Sequence, residues 1–465
     1  HARLSAYAAA TEAVAIKHQL PYVDLFAYTT EIFDGADDLT INGIHLTSEG
    51  NRRVAAHLAR ELFGVKAASA DSRLQAIREA VLDKNSHWFR RYRATDGNDV
   101  WGGRSVLKFV NRQSNKDVLW HELTMLDEMT ASRDHVVWAR ARGDSSFVAD
   151  DGNVPPPVPV ISNVGGGSES SSAEKEGHLR YMAPDETVAQ LQLPDGLSAN
   201  VFASEAMFPQ LANPVQMNVD TRGRLWVAVW PTYPKWEPLK EERDALLILP
   251  DKDRDGVADD AIVFAHVHNP TGFEFWGGGV IVASAPDLLF LKDTNGDDRA
   301  DVRIRLLHGL DSADTHHAAN NLVFGPDGYI YYQRGVFHVS NVETPWREAQ
   351  KHTASAMFRF NPRTFEFDFH AINSPNPHGT CFDYWGYQYA TDGTGGAAYQ
   401  VREGLLHGFE MHRLLDHTVR PVAACGILSS AHLPEQYQGN FVLLNTIGFL
   451  GLKQYTMETK DSGET

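Results

Sequence analysis

Apolar and polar positions along the chain follow two different rhythms, and the change between them divides the sequence. In residues 1–64 the apolar side chains recur at helical spacing. Ala8, Ala9, Val14, Ala15 and Ile16 form one stripe, and Val54–Phe63 carries a second, with Thr47 or Ser48 placed to cap its start. Between them Tyr22–Phe26 is a short apolar run that predicts a strand, so residues 1–66 predict the last βα portion of an α/β domain. Residues 67–150 form a helical extension, with Trp88, Trp101, Trp120 and Trp138 as its expected packing anchors and Trp101-Gly-Gly as a break. Residues 151–187, containing Pro155-Pro-Pro-Val-Pro and Gly165-Gly-Gly-Ser-Glu-Ser-Ser-Ser, are too poor in apolar surface to offset the entropy of ordering and predict a flexible linker.

From residue 188 the rhythm becomes short alternating strands separated by glycine turns. One unit recurs: a strand, a turn ending in glycine, and a second strand. It is found around Gly223, Gly279, Gly328 and Gly386, at steps of 56, 49 and 58 residues, with a weaker fifth copy at Gly439-Asn-Phe-Val-Leu-Leu. A period near fifty with this content predicts the blades of a β-propeller. A β-sandwich is the competing reading, but it has no reason to repeat one turn at such spacing. The expected fold is therefore multidomain: a truncated α/β part, a helical segment, and an all-β propeller over 188–465, which the family resemblance given below implies to be of the six-bladed type and lacking its last blade.

A formal charge of −18 argues against nucleic acid as a partner, since phosphates would be repelled. No apolar run reaches transmembrane length. The two cysteines, Cys381 and Cys425, lie in strand-like surroundings and are expected as buried thiols, with a disulfide between them as the alternative. The chain has no CxxCH, so it encodes no covalent haem site.

Three constellations could carry chemistry. Asp251, Asp253, Asp255 and Asp259 share the spacing D-x-[DN]-x-D-x-x-x-D with Asp293, Asn295, Asp297 and Asp301. Carboxylates so spaced on a tight turn converge on a calcium-sized cation. The twelfth-position glutamate of an EF-hand is replaced by Ile262 and Ile304. A solvated acidic turn is the alternative.

The second constellation is Thr315-His316-His317-Ala-Ala-Asn320-Asn321, just before an inner strand. There an imidazole could take a proton from a substrate hydroxyl. His317 with Leu322-Val-Phe-Gly-Pro-Asp-Gly-Tyr-Ile-Tyr-Tyr, and Asn376-Pro377-His378-Gly379, resemble the soluble quinoprotein glucose and sorbosone dehydrogenases. That resemblance implies His317 as catalytic base, with His316 beside it. It also implies pyrroloquinoline quinone as cofactor near Asn320, Asn321 and His378, although Pro375 stands where the family has an arginine.

The stretch 188–465 further resembles the propeller of planctomycete and verrucomicrobial membrane-bound dehydrogenase proteins. The resemblance is carried by Leu193-Pro-Asp-Gly-Leu, Asn213-Pro-Val-Gln-Met, Asp314-Thr-His316 and Leu433-Pro-Glu-Gln-Tyr-Gln-Gly. It implies a periplasmic, secreted or cell-surface protein acting on a sugar or other alcohol. Electrons would pass to a cytochrome c domain, whose haem is not encoded here.

The third constellation, Asn42-Gly-Ile-His45 before a helix, resembles the last motif of SGNH/GDSL hydrolases, with His45 as activating base and Asn42 in the aspartate's place. Loss of that carboxylate in a serine triad can cost on the order of 10⁴ in turnover. Asp37 and Asp38 are nearby acids without the motif's spacing, and the nucleophile blocks would precede His1. Three functions follow as expectations: a propeller dehydrogenase, a carbohydrate esterase with a propeller as substrate-binding partner, and a calcium-stabilised binding propeller without turnover.

Overall fold

The computed structural model describes residues 2–34, 39–65, 72–92, 97–108, 112–159, 182–353, 355–372, 376–404, 408–415, 420–446, 448–460 and 463–465. The chain divides into two compact units, His1–Lys84 with Arg133–Ala149, and Asn85–Ser132 with Asp150–Thr465.

The first unit contains α1 (Ala2–His18), α2 (Leu25–Phe33), α3 (Ser48–Phe63) and most of α4 (Ser72–Tyr92). The strand expected at Tyr22–Phe26 is replaced by the start of α2. The Asp24 carboxylate accepts from the Ala27 amide at 2.9 Å and so opens a helix there. Thr47 caps α3 through Gly50 N–H, and Gly64 ends it at a φ of +66° with its N–H on Arg60 O. Gly50 is required by crowding, because a Cβ there would lie 2.2 Å from Leu39 O, on the loop that carries Asn42 and His45.

In the second unit, α5 (Gly97–Val100) and the Asn115–Ser132 part of α6 (Asn115–Arg142) pack Val100, Leu119, Leu123, Met125, Leu126 and Met129 together with Val154. The four tryptophans expected as anchors are exposed. Two of them use the ring at a surface: Trp120 donates its indole N–H to Val100 O under the Lys116 ammonium, and Trp88 packs on Tyr92. Part of the expected linker is tied down, with His121 Nε2 2.7 Å from Pro156 O and Gln113 donating to Pro159 O. The glycine-serine run of the linker lies outside the described residues, and α7 (Pro184–Ala189) follows it.

The remaining chain folds as successive antiparallel sheets. Blade one is β1 (Pro214–Val219), β2 (Leu225–Val229), β3 (Ala245–Leu249) and β4 (Ile262–His266), paired in chain order. Blade two is β5 (Pro270–Trp276), β6 (Gly279–Ser284), β7 (Asp287–Lys292) and β8 (Val302–His308), extended by the hairpin β11 (Val339–Thr344) and β12 (Arg347–Thr353). Blade three is β9 (Asn320–Phe324), β10 (Ile330–Arg334), β13 (Ala356–Phe360) and β14 (Phe367–Ile372). Blade four is β15 (Pro377–Phe382), β16 (Gln388–Asp392), β17 (Ala398–Glu403) and β18 (Phe409–Arg413), joined to blade three by the single parallel bridge Ala371–Phe409. A fifth sheet has three strands among the described residues, β19 (Val422–Ile427), β20 (Phe441–Asn445) and β21 (Gly451–Tyr455).

Two observations identify a propeller. Four of the buried clusters mix residues of consecutive sheets, as where Trp226, Ile248 and Phe264 of blade one meet Phe273, Val280 and Leu289 of blade two, so the sheets stack face to face in order. The first strands also touch laterally. Gln216 on β1 exchanges two hydrogen bonds with the Phe273 main chain of β5, Thr271 on β5 donates to Ala319 O beside β9, and Asn321 on β9 donates to Thr380 O of β15. Middle strands such as β3, Ala245–Leu249, are buried throughout because both faces are covered.

The repeated turn is present with one correction. Gly223, Gly328, Gly386 and Gly439 have φ near +80°, but in the second repeat the left-handed residues are Gly277 and Gly278, while Gly279 already lies in β6. A two-residue hairpin needs positive φ at both central positions, whereas the longer turns need it only at the last.

Candidate active site at the loop before the third blade

The segment between β8 and β9 is held tightly. Gly309, at a φ of +101°, approaches β11 so closely that a Cβ would clash with Asn341 O. Buried Asp311 receives Val339 N–H at 2.6 Å and Ala313 N–H at 3.1 Å. The fully buried His338 puts Nδ1 2.9 Å from Asp311 O and Nε2 2.9 Å from Asp314 O, and burial pushes its imidazole down to about 4. His338 was not singled out from the sequence, and no local pattern marks it.

That clamp presents a 3₁₀ turn, Thr315–His317. Asp314 faces both imidazoles, with His316 Nδ1 3.4 Å from Oδ1 and His317 Nδ1 3.4 Å from Oδ2, and Arg104 Nη1 lies 3.3 Å from Oδ2. At 3.4 Å the His317 contact has ion-pair reach without hydrogen-bond alignment, which leaves Nδ1 buried with no hydrogen bond. Burial would raise the Asp314 carboxyl, but the two histidines and Arg104 outweigh it and hold it well below the usual carboxylate range. Asp314 in turn raises His316. The side chain of His316 is 64% exposed and meets the edge of Tyr233, whereas that of His317 is 14% exposed. His378 is lowered by burial and by the nearby charge of His317 and His316, so the turn and β15 bring three histidines into electrostatic range.

The remaining candidates serve the scaffold. Asn320 donates to Ala318 O, and Asn321 at a φ of +55° donates to Thr380 O. Neither amide is directed at a ligand. A quinone bearing several carboxylates needs cations aimed at the site. Arg104, the cation at the turn, is committed to Asp99, Asp314 and the Phe337 ring. Asn320, Asn321 and Arg104 are thus committed to neighbouring groups, and position 375, where the family's arginine would fall, lies outside the described residues.

The two acidic loops occupy equivalent places, between the third and fourth strands of blades one and two. Both sets accept main-chain amides. Asp251 accepts from Asp255 and Gly256 N–H, Asp253 from Asp255 N–H, Asp259 from Lys252 N–H and Asp255 from Val257 N–H, and Asp251, Asp253 and Asp259 still bring carboxylate oxygens within 4.8 Å of one another. In the second loop, Asp293 accepts from the amides of Asn295, Gly296 and Asp298, which lower its carboxyl. Asn295 accepts from Asp297 N–H, Asp297 from Arg299 N–H, and Asp301 from Thr294. Among the described residues, no three carboxylates of this second loop come within 4.8 Å of one another. A third group, Glu242, Asp244 and His268, also lies within 4.8 Å. Its oxygens are taken by Thr232, Asn269 N–H, His268 and Arg90, and despite burial the last two bring Glu242 down to about 2.

Asp314 and His316 lie on the wall of a cavity of about 680 Å³. Its lining comes from α4, α5 and α6 on one side and from the 234–238, 268–269, 284–287, 303–305 and 312–316 segments on the other. That size suits a small organic ligand. Sequence reading missed it because its walls come from distant segments.

Elsewhere, His45 is exposed and its Nδ1 lies 3.0 Å from Asn42 Oδ1, which also accepts from the Ile44 and His45 amides. The amide oxygen thus orients the imidazole as a carboxylate would, without its charge. Asp37 and Asp38 lie outside the described residues. Cys381 and Cys425 are thiols with sulfurs 3.8 Å apart, between β15 and β19, and the neighbouring thiol and burial raise Cys381.

The family model for a domain of unknown function (DUF7133) matches residues 183–443. No curated protein matches the chain. Among solved structures, the chain is similar to the PQQ domain of pyranose dehydrogenase from Coprinopsis cinerea, at 15% identity and a TM-score of 0.30, covering 46% of this chain and 49% of that one. It is also similar to a Trichoderma reesei carbohydrate-active enzyme of family AA12, at 13% identity, a TM-score of 0.30, and 52% and 64% coverage. Hydrazine synthase of Kuenenia stuttgartiensis is similar at 12% identity, a TM-score of 0.34, and 53% and 72% coverage. The fold stands on the strand order given above.

Proposed function

Since the chain belongs to the family described as a domain of unknown function (DUF7133), its activity has to be argued from its own side chains, and we propose that the propeller is a dehydrogenase-like module that oxidises a sugar or other alcohol at the Asp314 turn. The observation that carries this reading is the carboxylate of Asp314, which lies with His316 on the wall of a ligand-sized cavity and is shared with the imidazole of His317 behind it. His317 is the general base. It takes the hydroxyl proton of the substrate, and Asp314 stabilises the imidazolium that results. His316, held toward its charged form by Asp314, places a positive edge at the rim where a substrate oxygen would sit. The electron pair of the carbinol C–H bond leaves to an external acceptor of the quinone class, with a cytochrome beyond it. Calcium is proposed only for the Asp251 loop, as a structural ion.

A second reading, a binding propeller without turnover, draws support from the commitment of Asn320, Asn321 and Arg104 to neighbouring groups. One experiment separates the two. Dye-coupled oxidation of a sugar panel is measured with and without added quinone, in calcium and in EDTA. The dehydrogenase reading expects turnover that His317→Ala lowers by about 10²-fold or more. No turnover with any sugar, or a His317→Ala rate equal to that of the parent, would leave the binding module.

A further inference from the structure

The charges that line the cavity are largely matched. Arg90 pairs with Glu242, Lys235 with Glu122, Arg104 with Asp99, and Arg305 with Asp287. Arg303 is different. It projects from β8 into the cavity wall, its Nη1 donates to His266 O at 3.0 Å, and no carboxylate of the described residues lies within ion-pair distance. Arg303 is exposed and lines the cavity, yet enough protein surrounds it that desolvation lowers its guanidinium. Asp287 and Glu242 attract it only from beyond ion-pair distance, so a partly desolvated guanidinium here gains from an anion at contact. This one also sits in a chain whose overall charge is −18, where an unmatched cation inside a cavity stands out.

The rest of the wall describes the remainder of such a ligand. Leu119, Leu123 and Leu126 on α6, with Pro286, give an apolar floor, while Asp314 and His316 supply polar groups. We propose that the cavity binds a small hydroxylated carboxylic acid, of the uronic or aldonic acid kind, with its carboxylate on Arg303 and its hydroxyl-bearing carbons directed toward the Asp314 turn. This deepens the dehydrogenase reading and rests on it for the identity of the reacting hydroxyl. Binding at Arg303 does not depend on turnover.

The test is calorimetric titration of the whole chain with glucuronate, glucose and inorganic phosphate, repeated on Arg303→Gln, Arg303→Met and Arg303→Lys, with melting curves to confirm folding. The expected result is glucuronate binding at least tenfold tighter than glucose, lost by tenfold or more in Arg303→Gln and Arg303→Met and largely kept in Arg303→Lys. Equal affinity for glucose and glucuronate, or unchanged glucuronate binding in folded Arg303→Gln, would overturn the proposal. Phosphate binding tighter than glucuronate in an Arg303-dependent way would overturn the carboxylate class. Arg303-dependent glucuronate binding without any dye reduction would sustain this inference and remove the dehydrogenase reading instead.

Discussion

At the residue scale, the histidines divide by what surrounds them. His316 is raised by a carboxylate, whereas His370 is buried among rings, stacked on Phe409 at 4.3 Å and meeting Tyr331 edge-on, with Nε2 2.8 Å from Gln388 Oε1. Burial pushes His370 down to about 4. Its unfolded value is near 6.5, so as pH falls the unfolded chain takes the proton first. The stability that His370 contributes is complete above about pH 6.5, declines as pH falls toward 4, and amounts to about 3 kcal/mol when fully lost. Urea midpoints of the parent and His370→Gln, followed from pH 7.5 to 4, should show a shallower decline for the variant, and parallel curves would refute the assignment. The sequence announces His316 and His317 because they stand together before an inner strand. It is silent on His338 and His370, since their environment is made by strands far away in the chain.

At the scale of elements, the second acidic loop acts as a clip between blades. Asp298 reaches back to Arg224 at the start of β2, at 2.7 Å, and Arg224 also holds Asp220 of the preceding turn at 2.8 Å. Asp220 accepts from Trp226 Nε1 as well, so the charges are tied into the core of blade one. Arg224→Ala leaves two acids short of their partner and should cost about 1–3 kcal/mol. A double-mutant cycle with Asp298→Ala, read by thermal melting, should show coupling, and strict additivity would mean that the clip carries no energy. The spacing of acids was visible in the sequence, but not how each loop uses them. Spacing fixes where carboxylates stand along a turn, whereas how closely their oxygens approach one another depends on the turn's conformation. The same limit explains Tyr22–Phe26. Its apolar run suits a strand, yet a strand needs a partner, and Asp24 offers a helix cap instead.

At the scale of the whole molecule, the repeat length and turn glycines made the propeller legible, because each blade is built mainly from strands close together in the chain, interrupted only where the β11–β12 hairpin leaves blade three to join blade two. The cavity was not legible in the same way. Part of its wall, from Ser86 to Leu126, falls before the span 183–443 that defines the family, so the site combines family-wide blades with a segment outside that match. Blades three and four also depart from independence. The single bridge between Ala371 on β14 and Phe409 on β18 makes them one eight-stranded sheet, while the stacked rings of His370 and Phe409 close the same seam. Two modules sharing a sheet cannot open separately without breaking that seam. In a deuterium-exchange time course, the backbone amides of β13 and β17 should gain mass together, as one cooperative unit, and distinct rates for the two would show that the seam is only a contact. The array then opens as a fused pair among single blades, not as five equal ones.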